Sequence, residues 1–197
     1  MIREIKNKCF FLASVNNILN LPDDLLCEVG FWGRSNVGKS SLLNAITNTK
    51  IARTSKTPGR TTSLNFFEIK NKIRLVDFPG YGFAVRSKKE IYDWNELIVN
   101  YLEERNNVIF IFLLIDSRHG LKENDKEAIK LMETFKKKYH IVLTKIDKIN
   151  KKKLYEYYEE IENYIKNKSK NNKTIFLTSS KKNIGIKELE KFIIEVM

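Results

Sequence analysis

The stretch Gly33-Arg34-Ser35-Asn36-Val37-Gly38-Lys39-Ser40 fits G-x-x-x-x-G-K-[ST] and constrains the fold more than any other part of the chain. Such a loop works only between a strand and a helix. Gly33 and Gly38 let the backbone turn into a nest whose N–H groups converge on phosphate oxygens. The helix that follows adds the positive end of its dipole. The flanks meet this requirement. Val29-Gly30-Phe31-Trp32 reads as a short buried strand running in, and Ser41-Leu42-Leu43-Asn44-Ala45-Ile46 as the first turns of a helix running out. Lys39 supplies a point charge for the outer phosphates, and the Ser40 hydroxyl is a hard oxygen ligand suited to Mg²⁺.

The remaining periodicity places this unit in an α/β domain. Leu64 to Lys70 and Ile73 to Asp77 read as strands joined by a tight turn at Asn71-Lys72, so one edge strand is expected to run antiparallel. Val108 to Asp116 is a continuous apolar run suited to the middle of a sheet covered on both faces. Lys122 to Lys137 reads as a helix and Tyr139 to Thr144 as a strand. Leu154 to Ile165 marks another helix, Thr174 to Leu177 a last strand, and Ile186 to Val196 a last helix. The alternation predicts three layers: a mostly parallel sheet of about six strands with helices on both faces. Ligands on such sheets bind at the carboxyl ends of the strands. Residues 1–27 read as an N-terminal extension packed on a single domain spanning 28–197, with Phe10, Phe11, Leu12, Val15, Ile18 and Leu19 against the main body.

Charge narrows the partners. Lys+Arg 36 against Asp+Glu 24 gives +12, which favours a polyanionic partner such as nucleic acid or an acidic membrane surface. Cys9 and Cys27 form no C-x-x-C pair and are too few for a disulfide scaffold, so reduced thiols and a cytoplasmic setting are expected. The start has no signal-peptide pattern, and Cys9 to Ala13 is too short an apolar run to span a bilayer.

Three further stretches fall at expected strand ends. Asp77-Phe78-Pro79-Gly80 can hold Mg²⁺ through a water at Asp77, and the Gly80 N–H can reach a γ-phosphate. In Thr144-Lys145-Ile146-Asp147 the carboxylate can accept from the N1–H and N2–H₂ of guanine, a pattern adenine lacks, while the Lys145 stem lies over the base. Ser179-Ser180-Lys181 closes the last strand, where a backbone N–H can bind guanine O6. Between the phosphate loop and the hairpin, Thr49 to Ser63 is polar, basic and aperiodic, with Pro58-Gly59 as breaker.

Taken together the residues resemble the EngB (YihA/YsxC) family of bacterial ribosome-assembly GTPases, from about Lys8 onward. The likeness is carried by Gly33 to Asn44, Lys56-Thr57-Pro58-Gly59-Arg60-Thr61, Asp77 to Ala84, Asp116-Ser117-Arg118-His119-Gly120 and Thr144-Lys145-Ile146-Asp147-Lys148. It implies a P-loop GTPase fold and GTP or GDP bound by residues 33–40, Gly59, Arg60, Thr61, Thr62, Ser63, residues 77–80, residues 144–147, and Thr178, Ser179 and Ser180. Lys39, Thr61 and Gly80 would serve hydrolysis, with Ser40 and Thr61 direct ligands of Mg²⁺. Thr144 stands where GTPases at large carry Asn, and Phe78 where Leu is expected.

The resemblance also implies slow intrinsic hydrolysis. Many GTPases carry Gln after the Gly of Asp-x-x-Gly to orient the attacking water, and here that residue is Tyr81. A partner or K⁺ would then accelerate the reaction, with Asn36 either a K⁺ ligand or a loop-shaping residue. The expected role is a monomeric switch in assembly of the large ribosomal subunit, required for normal cell division and septation. Lys50, Arg53, Lys56, Arg60 and Arg86-Ser87-Lys88-Lys89 would face ribosomal RNA. The alternatives are a GTP-dependent interaction module of cell division with little need for turnover, and a P-loop kinase, which would leave Asp147 unexplained.

Overall fold

A computed structural model describes residue 5 and residues 8–52, 63–82, 88–168 and 172–196, with backbone alone at 88–94, 168, 172 and 173. The chain runs β1 (Cys9–Val15), β2 (Cys27–Gly33), α1 (Lys39–Thr47), β3 (Leu64–Ile69), β4 (Ile73–Asp77), α2 (Lys88–Glu104), β5 (Val108–Asp116), α3 (Glu123–Thr134), β6 (Tyr139–Thr144), α4 (Lys151–Lys168), β7 (Asn172–Leu177) and α5 (Ile186–Ile194). The strands form one seven-stranded sheet in the order β1-β3-β4-β2-β5-β6-β7.

From β4 across to β7 every pairing is parallel, whereas β3 runs against both β4 and β1. The hairpin between β3 and β4 turns through Lys70 and Asn71, both at positive φ, and Lys72 N–H closes it on the Ile69 carbonyl at 2.9 Å. The seventh strand is β1, which lies outside β3 as the sheet edge. Its pattern hides it from the sequence. Phe10, Phe11 and Leu12 are successive and all exposed, so no inside–outside alternation marks the strand.

The apolar run of β5 divides between two cores. Phe110, Phe112 and Leu114 join Leu42, Leu43 and Ile46 of α1 and Ile186, Leu189 and Ile193 of α5 on one face. Ile111, Leu113 and Ile115 meet Ile98 and Leu102 of α2, Ile129 and Met132 of α3 and Ile161 of α4 on the other. Burial on both sides is why the strand reads as uninterrupted hydrophobicity.

Helix ends differ from the sequence reading for a local reason. α3 stops at Thr134 because Lys136 takes a left-handed conformation, φ 53°, and Lys137 N–H bonds the Met132 carbonyl at 2.9 Å. That is a Schellman closure, usually marked by glycine and here built on lysine. α4 begins at Lys151, earlier than its first apolar residue, because the Asn150 side chain accepts from Lys153 N–H at 2.9 Å. Among the described residues no helix is long and apolar enough to cross a membrane.

Candidate functional site

β2 is the strand from which the sheet grows in two directions, since β4 lies on one side and β5 on the other. Crevices open at the carboxyl end of such a strand. Residues 33–40 occupy that end of β2 and lead into α1. A Cβ on Gly33 would lie 2.8 Å from the Leu114 carbonyl oxygen, so only glycine lets the loop leave the sheet this closely. Gly38 precedes α1 at φ 109°, a conformation closed to other residues at low cost. Asn36 is also left-handed, φ 62°, which asparagine tolerates.

Beside this loop, β4 ends at Asp77. The carboxylate accepts from the Lys39 ammonium, and both side chains are buried. Phe78 N–H bonds the Phe31 carbonyl at 3.0 Å and Ser35 N–H bonds the Tyr81 carbonyl at 3.0 Å, so residues 77–81 continue alongside the phosphate loop. A Cβ on Gly80 would sit 3.1 Å from Ser35 N. Phe78 itself turns inward. Its ring is fully buried against Trp32 and Tyr101, leaving only its backbone near the rim. Tyr81 is buried as well, with its hydroxyl donating to Asp125 Oδ1 at 2.8 Å. Burial raises the Tyr81 hydroxyl well above its usual range, reinforced by the Asp125 charge, and burial likewise raises the Asp125 carboxyl.

β5 and β6 bring a second group to the same rim, with Asp116 paired to Thr144 in register. The Thr144 hydroxyl donates to the Val37 carbonyl at 2.7 Å, which fastens the end of β6 to the phosphate loop. The Lys145 ammonium donates to the Asn36 carbonyl at 2.6 Å and to Asp116 Oδ2 at 2.8 Å. Burial pushes the Asp116 carboxyl up, but hydrogen bonds from Arg118 and Lys145 outweigh it and hold it at about 2. With its head group so tethered, the Lys145 stem crosses within 3.5 Å of the Cβ position of Gly38.

The last loop closes the rim. Ile146 N–H bonds the Thr178 carbonyl at 3.2 Å, and the buried Ser179 hydroxyl donates to Asp147 Oδ1 at 2.6 Å. That bond draws the Asp147 carboxyl below its usual range. Ser180 follows in the turn after Ser179, and Ser63 immediately precedes β3. The structure therefore brings Gly33 to Ser40, Asp77 to Gly80, Thr144 to Asp147 and Thr178 to Ser180 to one edge of the sheet. Gly59, Arg60, Thr61 and Thr62 lie outside the described residues, as do Arg53, Lys56, Arg86 and the side chains of Lys88, Lys89 and Trp94.

The arrangement can cradle a chain of phosphates on backbone N–H groups at one end and read a planar base with a carboxylate at the other. The donor set also fits a hard divalent cation, since Ser40 and Asp77 offer oxygens beside the loop. Among the described residues no group of three or more His, Cys, Asp or Glu could hold a metal ion. An ion here would complete its shell from phosphate oxygens and water, the usual habit of Mg²⁺.

Sequence reasoning missed two contacts. Asn44 of α1 exchanges hydrogen bonds with the backbone of Ala52, both at 2.9 Å, and Asp125 holds Tyr81. Neither has a local signal, because each partner is brought in by the fold.

Similar proteins agree with this geometry. A family profile described as 50S ribosome-binding GTPase matches residues 28–145, and one described as elongation factor Tu GTP binding domain matches 101–197. A probable GTP-binding protein EngB of Wolbachia sp. subsp. Drosophila simulans (strain wRi) is 43% identical over 171 residues, covering 86% of this chain and 87% of that protein. The EngB of Allorhizobium ampelinum is 40% identical and covers 95% and 90%. A crystal structure of a probable GTP-binding protein engB superimposes with TM-score 0.67 at 26% identity, covering 86% of this chain and 98% of that one. Aquifex aeolicus Era bound to GDP·AlF₄⁻ superimposes with TM-score 0.70 at 28% identity, covering 87% and 57%. Era in complex with MgGDPNP and nucleotides 1506–1542 of 16S ribosomal RNA gives 0.68 at 28%, covering 87% and 56%. The phosphate loop, the guanine-compatible carboxylate and these relatives lead to one assignment: the chain belongs to the EngB family of GTP-binding proteins and is a GTPase.

Proposed function

We propose that this GTPase acts as a switch in assembly of the large ribosomal subunit and is needed for normal cell division and septation. The observation that carries the reading is the convergence of the four loops on one rim in a chain matching a 50S ribosome-binding GTPase family. In this reading residues 33–40 wrap the β- and γ-phosphates, and Lys39 leaves Asp77 to meet them. Mg²⁺ is held by Ser40 and Thr61 directly and by Asp77 through water. Gly80 contacts the γ-phosphate, and Gly59, Arg60, Thr62 and Ser63 complete the phosphate side. Asp147 and Lys145 take the guanine, with Thr178, Ser179 and Ser180 behind it. Residues 28–197 form the GTPase domain and 1–27 its extension, in a cytoplasmic monomer. Era, bound to MgGDPNP together with a stretch of 16S ribosomal RNA, supports the metal and, as a class, a ribosomal RNA partner.

Binding of GDP, GTP and ATP to the purified chain, with and without Mg²⁺, tests the site; equal affinity for ATP overturns it. Co-sedimentation tests the partner, and nucleotide-dependent migration with large subunits is expected. The buried Tyr81 hydroxyl, committed to Asp125, favours a second reading in which binding matters more than turnover. Septum localisation without co-sedimentation would select it. A K⁺ ion beside Asn36 is part of the first reading, and equal single-turnover rates in K⁺ and Na⁺ would remove it.

A further inference from the structure

Tyr81 stands at a meeting of three segments. Its carbonyl accepts from Ser35 of the phosphate loop at 3.0 Å, its ring packs edge-on to Trp32 at 5.4 Å, and its hydroxyl reaches Asp125 in the first turn of α3. Asp125 is 1% exposed, and its other oxygen accepts from Lys122 N–H at 2.8 Å. The neighbouring residues make the same approach: a Cβ on Gly82 would lie 2.9 Å from Asn124 Nδ2 and 3.6 Å from Arg34 Nε. A phenylalanine would fill the space beside Trp32 equally well. The hydroxyl and the buried carboxylate add direction to that packing, at the desolvation cost of a charge. The cap on α3 needs only one carboxylate oxygen, so the bond to Tyr81 is additional to it.

We propose that Asp125 is a positioning residue for the turn that senses the γ-phosphate: by holding the Tyr81 hydroxyl it fixes Gly80 against Ser35 and couples the response to GTP over GDP to the first turn of α3. The proposal rests on the reading of Gly80 as a γ-phosphate contact. GDP does not reach Gly80 in that reading, so loosening the turn weakens GTP alone. It also gives nucleotide state a route to the α3 surface that avoids the base-reading loops.

The test uses the full chain carrying Tyr81→Phe, Asp125→Ala or both, with equilibrium affinities for GDP and for the non-hydrolysable analogue GDPNP. In Tyr81→Phe the GDPNP affinity is expected to fall about two- to tenfold while GDP affinity stays within about twofold. Asp125→Ala is expected to do the same, and the double variant to be no worse than Asp125→Ala, because each single variant already removes the Tyr81–Asp125 bond and only Asp125→Ala also removes the bond to Lys122 N–H. A GDPNP-to-GDP affinity ratio unchanged in the folded variants overturns the proposal, as does full additivity. If Asp125→Ala fails to fold, Tyr81→Phe decides alone. Failure of the unaltered chain to bind GDP would overturn the guanine-nucleotide reading itself and the proposal with it, an outcome distinct from an unchanged ratio in the variants.

Discussion

Two buried ion pairs sit at opposite ends of β2, and they are built differently. At the amino end Glu28 is fully buried and saturated: it accepts from the Tyr101 hydroxyl at 2.6 Å and from Arg105 Nη2 at 2.6 Å. Arg105 also donates to the Asp23 carbonyl at 2.6 Å, and Lys137 donates to the Arg105 carbonyl at 2.8 Å. At the carboxyl end Lys39 meets Asp77 through one oxygen, beside a loop that exposes Arg34, Ser35 and Asn36 at least partly to solvent. A carboxylate gripped by a guanidinium fork and a hydroxyl has little reason to exchange partners. A point-charge ammonium on a flexible stem can trade a carboxylate for a phosphate. The first pair ties the end of α2 to β2, and the second is suited to be opened by a ligand.

The sharpest way to break this comparison is to remove one cation from each end. Arg105→Ala should cost about 3–5 kcal/mol in chemical denaturation, because Glu28 is left buried without its countercharge. Lys39→Ala also leaves a buried carboxylate, Asp77, unpaired, but beside a loop partly open to solvent at Arg34, Ser35 and Asn36; it should therefore cost less stability than Arg105→Ala and yet abolish most GDP binding by calorimetry. Equal stability losses would erase the distinction.

Next in size is Asp147→Asn. It replaces an acceptor pair by one acceptor and one donor, and GDP affinity should fall by about two to three orders of magnitude with the melting curve little changed. Unchanged GDP binding refutes the guanine assignment. Thr144→Val keeps the volume and removes the hydroxyl from the Val37 carbonyl, so about 1–2 kcal/mol of stability and a few-fold of GDP affinity should go together.

The smallest effect concerns Asp116. Its folded-state pKa of about 2 lies below the ordinary carboxylate value, so its contribution is present above about pH 4 and is lost as pH falls toward 2. Denaturant midpoints between pH 5 and 2 should fall less steeply in Asp116→Asn, by roughly 1 kcal/mol over the window. Identical slopes would show that the Lys145 and Arg118 bonds carry no net stability.

The motifs of the carboxyl-end rim are legible in the sequence, and the ion pair at the amino end is not. Gly33, Lys39, Asp77, Thr144 and Asp147 stand in motifs recognisable along the chain, and the fold brings those motifs to one rim. Glu28 lies 73 and 77 positions from Tyr101 and Arg105, which are one turn apart at the end of α2, and any buried-compatible set would serve as well. β5 announced itself by unbroken hydrophobicity, whereas β1 did not, because an edge strand with Phe10, Phe11 and Leu12 in solvent shows no alternation. Helix limits shifted for local reasons: a lysine instead of a glycine makes the left-handed close of α3, and α4, behind an ordinary asparagine cap, opens on three lysines that carry no apolar signal. Asp125 was invisible for a different reason, since its role exists only once α3 lies beside Tyr81.

The 2.7 Å bond from Thr144 to Val37 has a consequence for how a ligand can be graded. In the proposed binding mode it makes the two halves of the rim into a caliper whose jaws are biased toward one spacing. Nucleotides that share a base and differ only in tail length would then be sorted entirely at the far jaw. A change of purine preference could not be bought by widening the gap, and would have to be made on the near jaw alone.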